Sequence, residues 1–267
     1  TENGIAMDAA SGLVFSPSHF TWMDTNYPAG TPREGYPIEI QAFWYGALDL
    51  LAKHTGKSIY VTTAKRVKES VAKYYVSRPD VGLSDCLHGR PGTPAAKATA
   101  DDACRPNQLF ALTVPGLIDD FELQQTVIAA TGHLLVPGGM RTLANQRVEF
   151  LQPIYKDGHL LNNPAFPYWG EYIGDEDTRR KPAYHNGTAW AWLMPSFCEA
   201  LLRTFGPSAK PAARSLLHTT AALMRRGCVG QLPEILDGDI PHKTRGCCAQ
   251  AWSVTEAYRI LRMMERG

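Results

Sequence analysis

The spacing of the apolar residues restricts the fold of this chain more than any other feature. They recur every three or four positions, as on one face of a helix, and the alternation that marks half-buried strands is almost absent. This spacing predicts helices over residues 37–54, 62–76, 119–131, 188–205, 211–226 and 249–264. The sequence therefore predicts an all-α fold.

The predicted helix at 37–54 is apolar on nearly every side, which favours a place in an interior layer. Pro37 suits its first turn. Segment 76–106, by contrast, is rich in Gly, Pro, Ala and Asp and has no periodicity. Because no new composition begins after it, we expect an inserted loop at the rim of one domain that spans residues 1–267, and not a linker between two domains.

Composition excludes several classes of protein. The 267 residues are 44% hydrophobic and 20% charged, so a sizeable core is expected and disorder is excluded. Lys plus Arg number 27 against 26 for Asp plus Glu, which gives no electrostatic grip on nucleic acid or on an anionic membrane. No apolar run reaches the roughly 18 to 20 residues of a membrane span. A cytoplasmic protein with a neutral ligand is expected.

The six cysteines show no C-x-x-C spacing and two of them are adjacent, which is poor geometry for a structural zinc site. Buried free thiols are expected, although Cys86 and Cys104 lie in one long loop and could pair. No motif calls for a metal or an organic cofactor.

Asp24 lies in a loop directly after Trp22 and Met23, before the apolar helix. A carboxyl group that loses water beside an indole favours its protonated form, and a protonated carboxyl is a general acid. The alternative is that Asp24 only caps a turn. The sequence predicts a proton donor here.

Polar and aromatic residues also gather in loops next to helix ends. Flat apolar faces with directional hydrogen-bonding groups are what a sugar ring requires, so these loops indicate a carbohydrate pocket. They comprise Gly138-Gly139-Met140-Arg141-Thr142, Tyr184-His185-Asn186-Gly187-Thr188 with Trp190 and Trp192, and Leu232-Pro233-Glu234 with Asp237, Gly238 and Asp239.

Taken together, the chain resembles the C-terminal catalytic domain of glycogen debranching enzymes, the amylo-alpha-1,6-glucosidases. The matching segments follow one another in the order of that family and cover nearly the whole chain. They are Thr21–Asp24, Pro32-Arg33 with Gly35 and Glu39-Ile40, Arg105–Gln108, Gly139–Leu143, Tyr184–Thr188 with Trp190 and Trp192, Pro233-Glu234 and Ala249–Ser253.

The resemblance implies an (alpha/alpha)6 barrel of the six-hairpin glycosidases, with the site in a funnel formed by loops at one end. It implies inverting hydrolysis of the alpha-1,6-linked glucose at a branch stub of glycogen or a related glucan, without a cofactor. Carried over, Asp24 is the general acid and Glu234 the general base. An inverting pair of this kind stands about 6.5 to 9.5 Å apart, with water between the base and the sugar.

Alternatives stay open for several residues. Asp237 and Asp239 lie close enough to Glu234 in sequence to replace it as base. Glu39 is either a buried acid paired with Arg33 or a ligand for sugar hydroxyls, and it is the substitute for Asp24 as acid. The expected substrate-binding residues are Trp22, Arg33, Glu39, Arg141, His185 and Trp192, of which the arginines and tryptophans could instead be structural, and His185 a core histidine with its hydrogen bonds satisfied.

The chain also departs from the family, because it has about half the helices of a closed barrel and lacks an upstream Gly-Arg-Asp-Thr segment. We therefore expect the C-terminal part of a barrel that an N-terminal portion or a second chain completes. A non-catalytic half barrel that binds glucan or a partner is one alternative. A glucoamylase-like or invertase-like hydrolase of another linkage is the other.

Overall fold

The structure, a computed structural model, describes residues 1–27 and 31–266. Long helices form most of its framework, and short helical turns lie in the loops between them. The helices are α1 (Ile38–Thr55), α2 (Ser58–Tyr74), α3 (Phe110–Thr113), α4 (Phe121–Gly132), α5 (Lys181–Tyr184), α6 (Leu193–Phe205), α7 (Lys210–Leu223) and α8 (Ala251–Arg266).

Strands of two or three residues lie within the loops. They are β1 (Ala6–Met7), β2 (Val14–Phe15), β3 (Gly35–Pro37), β4 (Cys86–His88), β5 (Thr99–Ala100), β6 (Leu135–Val136), β7 (Gly139–Arg141), β8 (Tyr155–Lys156), β9 (His159–Leu160), β10 (Ala189–Trp190), β11 (Ile235–Leu236) and β12 (Thr244–Arg245). Within the described residues they pair into four antiparallel sheets, the largest in the order β12-β11-β10-β7-β6 and another in the order β3-β4-β5.

The prediction of an all-α fold, and with it of an incomplete (alpha/alpha)6 barrel, is wrong. The structure is a mixed α/β fold in which small sheets tie the loops together between the helices. The physical reason is length: alternation becomes a readable signal over about four to eight residues, and these strands are shorter.

All six predicted helices are present, with shifted ends. Helices α1, α2, α4, α6, α7 and α8 overlap the six predicted segments. The largest difference is at α6, which begins at Leu193 and not near 188. Residues Ala189 and Trp190 instead form β10, which is paired on one side with β7 and on the other with β11.

Helix α1 packs against α2 and α3, and the main hydrophobic core lies between these helices, α4 and α6. Ile38, Ala42 and Leu48 are buried on this side of α1. The expectation that α1 is interior on all sides is wrong, because Phe43 is 51% exposed and Leu50 is 56% exposed. One apolar side of α1 therefore faces outward.

The predicted loop at 76–106 packs closely against the rest of the fold. Its strand β4 pairs with β3, directly before α1, and with β5. Leu83 and Leu87 are buried in the main core. The segment thus brings Asp85, which lies just before β4, beneath the start of α1.

All six cysteines fall within the described residues and are free thiols. Cys86, Cys104 and Cys198 are buried as expected, whereas Cys247 and Cys248 are exposed. Cys86 and Cys104 do not pair. Across residues 1–27 and 31–266, no helix combines the length and the apolar composition needed to cross a membrane.

Candidate active site

Glu234 lies directly before β11, and its carboxylate is fixed by two donors. The hydroxyl of Tyr184 donates to Oε1, and the backbone amide of Cys247 donates to Oε2 at 2.8 Å. The backbone of Glu234 also donates to the carbonyl of Cys247 at 2.8 Å, which aligns the two segments. The result is a half-buried carboxylate in one defined orientation.

Tyr184 ends helix α5 and connects Glu234 to the rest of the cluster. Burial, then the hydrogen bond to Glu234 and its charge, raise the pKa of Tyr184 well above its ordinary value, and the charge of Asp24 adds to this effect. The hydroxyl therefore stays protonated and acts as a donor. Glu234 and Asp24, distant in sequence, both lie within electrostatic range of this side chain.

Asp24 lies in the loop before β3, and its side chain is exposed. The expected desolvation beside Trp22 is therefore wrong, because water reaches the carboxylate. Its charge acts on His19, which precedes it in the same part of the chain. Burial lowers the pKa of His19, and the charge of Asp24 partly opposes that shift.

An aromatic cluster lies next to Tyr184, with Trp22 at its centre. The ring of Trp22 lies edge-on to His185 at 5.1 Å, to Trp190 at 5.4 Å and to Trp192 at 4.9 Å between centroids. Edge-to-face contacts at these distances are favourable for aromatic rings. Trp22 and Trp192, both predicted as binding residues, are thus brought together with His185.

His185 is buried and stacks on Trp190 with centroids 5.3 Å apart and planes 11° from parallel. Neither ring nitrogen has a hydrogen-bond partner among the described residues. Burial, followed by the charges of Arg105 and Arg33, lowers the pKa of His185 well below its ordinary value. His185 is therefore neutral, with one donor and one acceptor that the fold does not use.

This shift makes stability depend on pH. The unfolded chain protonates His185 near pH 6.5, whereas the folded chain does not, so below that pH the unfolded state binds more protons and folding is weakened. We expect the free energy of unfolding to fall between pH 6.5 and 5, by up to about 1.4 kcal/mol per pH unit from this group. Urea denaturation at several pH values measures it.

The variant His185→Phe keeps an aromatic ring and cannot protonate, so its free energy of unfolding should fall less steeply with decreasing pH. His54→Gln, at an exposed position of α1, is the matched control and should follow the wild type. Equal slopes for His185→Phe and the wild type would contradict the assignment of a buried neutral imidazole.

Arg33 and Glu39 form a buried bidentate ion pair beneath the loop of Asp24. Nη1 of Arg33 lies 2.5 Å from Oε1 of Glu39, and Nη2 lies 2.6 Å from Oε2. Nε of Arg33 donates to Asp85 at 2.6 Å. Burial alone would lower the pKa of Arg33, but the charges of Asp85 and Glu39 outweigh it and hold that pKa well above its ordinary value. Of the two alternatives for Glu39, the structure contains the ion pair.

Asp85 connects this ion pair to the aromatic cluster. The sequence analysis did not predict a role for this residue. Its Oδ1 accepts a hydrogen bond from Asn107 at 2.7 Å, and Oδ1 of Asn107 accepts one from the indole of Trp22 at 2.7 Å. Arg33 also donates to the hydroxyl of Thr21 at 3.2 Å. The buried charges thereby fix the loop that carries Trp22 and Asp24.

Arg105 holds the loops of the cluster to one another and is therefore a structural arginine. Its guanidinium donates to the carbonyls of His185 and Thr142, the latter at 3.1 Å, and to Oδ1 of Asn186 at 2.7 Å. Gly187 follows at φ 153°, and a side chain there would meet the carbonyl of Trp169 at 2.5 Å. Only glycine allows this close approach.

Arg141 and the two acids after Glu234 are occupied by protein groups. Nε of Arg141 donates to the carbonyl of Gly238 at 2.8 Å. Asp237 is buried and pairs with Arg245 at 2.9 Å. Asp239 accepts a hydrogen bond from the hydroxyl of Tyr168 at 2.8 Å. Among Glu234, Asp237 and Asp239, Glu234 is the acid that Tyr184 connects to the aromatic cluster.

Within residues 1–27 and 31–266, no three His, Cys, Asp or Glu side chains are grouped as a metal site requires. The expectation that the site needs no cofactor stays a prediction. The observed arrangement can still perform acid–base chemistry, since it combines two carboxylates, a neutral imidazole and several aromatic rings.

Comparison with protein families identifies the class of the protein. The family profile described as amylo-alpha-1,6-glucosidase matches residues 1–259, nearly the whole chain. The chain belongs to this family of glycoside hydrolase-type domains, as its motifs predicted. A search among curated proteins finds no significant match.

Proposed function

We propose that this protein hydrolyses the alpha-1,6-linked glucose at a branch stub of an alpha-glucan, with inversion at the anomeric carbon. The observation that carries the proposal is the fixed carboxylate of Glu234, whose donor Tyr184 packs on His185 and Trp190 of the aromatic cluster that includes Trp22. Trp22 lies two residues before Asp24. Membership of the amylo-alpha-1,6-glucosidase family supports the same substrate class.

In the proposed reaction, protonated Asp24 donates its proton to the glycosidic oxygen as the bond to the anomeric carbon breaks. Glu234 takes a proton from a water molecule, and the oxygen of that water forms the new bond from the opposite face. The products are free glucose and the shortened glucan. The exposure of Asp24 to water gives it a route to regain its proton after each turnover.

The remaining cluster residues are proposed to bind or to position. The half-buried ring of Trp22 is a sugar platform. The expected sugar contact of His185 is not open in this structure, because both ring nitrogens are buried, so His185 is proposed to position Trp22 through their edge contact. Arg33 and Glu39 act through the loop that they fix, because their polar atoms already bind one another. Trp192 supports the ring of Trp22, and Arg141 supports the end of its strand by its bond to the carbonyl of Gly238.

The test of this proposal is glucose release by the purified chain from a maltooligosaccharide with one alpha-1,6-linked glucose. The unbranched maltooligosaccharide of the same length is the matched control substrate. Release from the branched substrate alone supports the proposal. Faster release from the linear substrate would favour a glucoamylase-like activity and would overturn the proposed linkage.

Tyr184→Phe should slow turnover, and the variant should remain folded. The variant keeps the ring between Trp190 and His185 but leaves Oε1 of Glu234 without its donor. A hydrogen bond to a charged group is worth about 1.5 to 3 kcal/mol, so we expect kcat to fall about tenfold to hundredfold with a small change in KM.

Tyr172→Phe is the control for that variant. The ring of Tyr172 lies 5.5 Å from that of Tyr184, and among the described residues its hydroxyl donates to no carboxylate. Its kcat should match the wild type. A normal kcat for Tyr184→Phe would contradict the role of Tyr184 in orienting Glu234.

The proposal also includes glycogen branches as the substrate and a cytoplasmic location. Free thiols at the six cysteines agree with a reducing compartment.

A further inference from the structure

Three cysteines lie close to one another beside Glu234. Cys228 lies in the loop between α7 and β11, and Cys247 and Cys248 lie in the loop between β12 and α8. Cys228 is half-buried, whereas Cys247 and Cys248 are exposed. The proposed hydrolysis uses the backbone of Cys247 and none of the three thiols, so their proximity has another consequence.

Backbone hydrogen bonds fix the position of Cys248 in its loop. The amide of Glu234 donates to the carbonyl of Cys247 at 2.8 Å, and the amide of Gln250 donates to the carbonyl of Leu232 at 2.9 Å. Cys248 lies in sequence between these two attachment points. Its thiol is therefore open to water while its backbone is held against the loop that leads from Cys228 to Glu234.

The side chains of Cys228 and Cys248 meet between the two loops. A β carbon placed on Gly227, directly before Cys228, would lie 3.6 Å from the β carbon of Cys248. The hydrogen bond with the thiol of Cys248, followed by desolvation and the charge of Cys248, raises the pKa of Cys228. The thiol of Cys247 instead donates to the carbonyl of Ala249 at 3.2 Å. Cys228 and Cys248 are thus the neighbouring pair of thiols.

The other three cysteines are protected from oxidation. Burial raises the pKa of Cys104 and of Cys198 to about 12, and it raises the pKa of Cys86 well above its ordinary value. Because the thiolate is the reactive form and an oxidant must reach it, these buried thiols are inert. The pair of Cys228 and Cys248 combines access with proximity.

We propose that Cys228 and Cys248 form a reversible disulfide when the protein meets hydrogen peroxide, and that this bond displaces a donor of Glu234. The disulfide itself goes beyond the proposed function. Its effect on catalysis rests on that function, because the effect depends on Glu234 as the base.

The oxidation takes two steps. The thiolate of Cys248 attacks one oxygen of hydrogen peroxide, the O–O bond breaks, and the hydroxide that leaves takes up a proton, which leaves a sulfenic acid on Cys248. The sulfur of Cys228 then attacks that sulfur, the S–O bond breaks, and a second water leaves with the thiol proton. Two thiols lose two electrons, and one peroxide becomes two waters. Glutathione or a dithiol reverses the bond by exchange.

The disulfide would act on Glu234 through Cys247. The backbone amide of Cys247, next to Cys248, is one of the two donors of the Glu234 carboxylate, at 2.8 Å from Oε2. Gly246 also lies against this carboxylate, because a β carbon there would collide with Oε2. When Cys248 moves toward Cys228 to close the bond, this amide moves with it. Oxidation should therefore leave Oε2 without its donor.

The test is peptide mapping without reduction, after the reduced chain has been exposed to hydrogen peroxide and its free thiols have been blocked. Trypsin places Cys228 in the peptide 227–243, and Cys247 and Cys248 in the peptide 246–259. We expect a mass that joins these two peptides and that dithiothreitol separates. Cys228→Ser and Cys248→Ser should each abolish it, and Cys247→Ser, the matched control, should keep it.

The absence of joined peptides in the oxidised wild type would overturn the disulfide. A bond between Cys247 and Cys248, a bond between two copies of the chain, or joined peptides in Cys248→Ser would also overturn it. Circular dichroism verifies that each variant is folded. The mapping does not depend on any enzymatic activity.

The effect on Glu234 is measured by glucose release from the branched maltooligosaccharide. The oxidised wild type should be about tenfold slower than the reduced protein, as expected for the loss of a hydrogen bond to a charged group, and dithiothreitol should restore the rate. The rate of Cys228→Ser should not respond to peroxide. Equal rates for the oxidised and reduced wild type would overturn the effect on Glu234. Joined peptides in a protein whose reduced form releases no glucose would overturn the proposed function, and with it the effect on catalysis, and would keep the disulfide.

Discussion

Glu234→Gln and Asp24→Asn are each expected to reduce glucose release about 100-fold to 10,000-fold, because each removes one partner of a concerted proton transfer. Both substitutions conserve shape, and both sites are partly or fully exposed, so the fold should persist. Initial rates on the branched maltooligosaccharide measure the effect. Affinity for that substrate should remain within a few-fold of the wild type.

The control is Glu122→Gln, an exposed acid in the first turn of α4. It should retain the wild-type rate. Glu39→Gln tests the alternative in which Glu39 replaces Asp24 as the acid. Loss of release in Glu39→Gln together with a near-normal rate in Asp24→Asn would favour Glu39. A near-normal rate in Asp24→Asn would contradict its role as the acid, and a near-normal rate in Glu234→Gln would contradict its role as the base.

Removing Arg33 is expected to have the largest effect on stability. Arg33→Met leaves the carboxylates of Glu39 and Asp85 without their buried partner, and breaking such a pair typically costs about 3 to 5 kcal/mol. The free energy of unfolding, measured by urea denaturation at neutral pH, should fall by that amount. Activity should fall as well, because the loop of Trp22 and Asp24 loses its support.

The exposed pair of Lys53 and Asp49 on α1 is the control. Lys53→Met should leave the free energy of unfolding nearly unchanged, because water already solvates both charges. The double variant Arg33→Met with Glu39→Leu should recover part of the lost stability, since it leaves one fewer unpaired charge. Equal losses for Arg33→Met and Lys53→Met would contradict a structural role for the buried pair.

The sequence was a good guide to the helices and a poor one to the sheets. Helices α1 and α8 span several turns, so their apolar periodicity stands out from their flanks. Strands such as β10 and β11 have two residues each, and their pairing partners lie in distant loops. Tertiary contacts determine where such strands form, and the local sequence pattern does not reveal those contacts.

The family could be predicted from the motifs, whereas the surroundings of the candidate residues could not. The roles of Asp24 as acid and Glu234 as base come from the resemblance to the family and stay predictions. Asp85 was missed because it lies in a stretch without periodicity, where nothing marks one acid among several. The burial expected for Asp24 was wrong, since its side chain is exposed, while the indole NH of the neighbouring Trp22 donates to Asn107.

The most direct test of the central proposal is proton NMR of the glucose released in the first minutes from the branched maltooligosaccharide, recorded before mutarotation. An acid at Asp24 and a base at Glu234 acting through water predict beta-glucose from the alpha-linked substrate. Initial release of alpha-glucose would contradict the proposed roles of the two carboxylates. No glucose at all would contradict the activity itself.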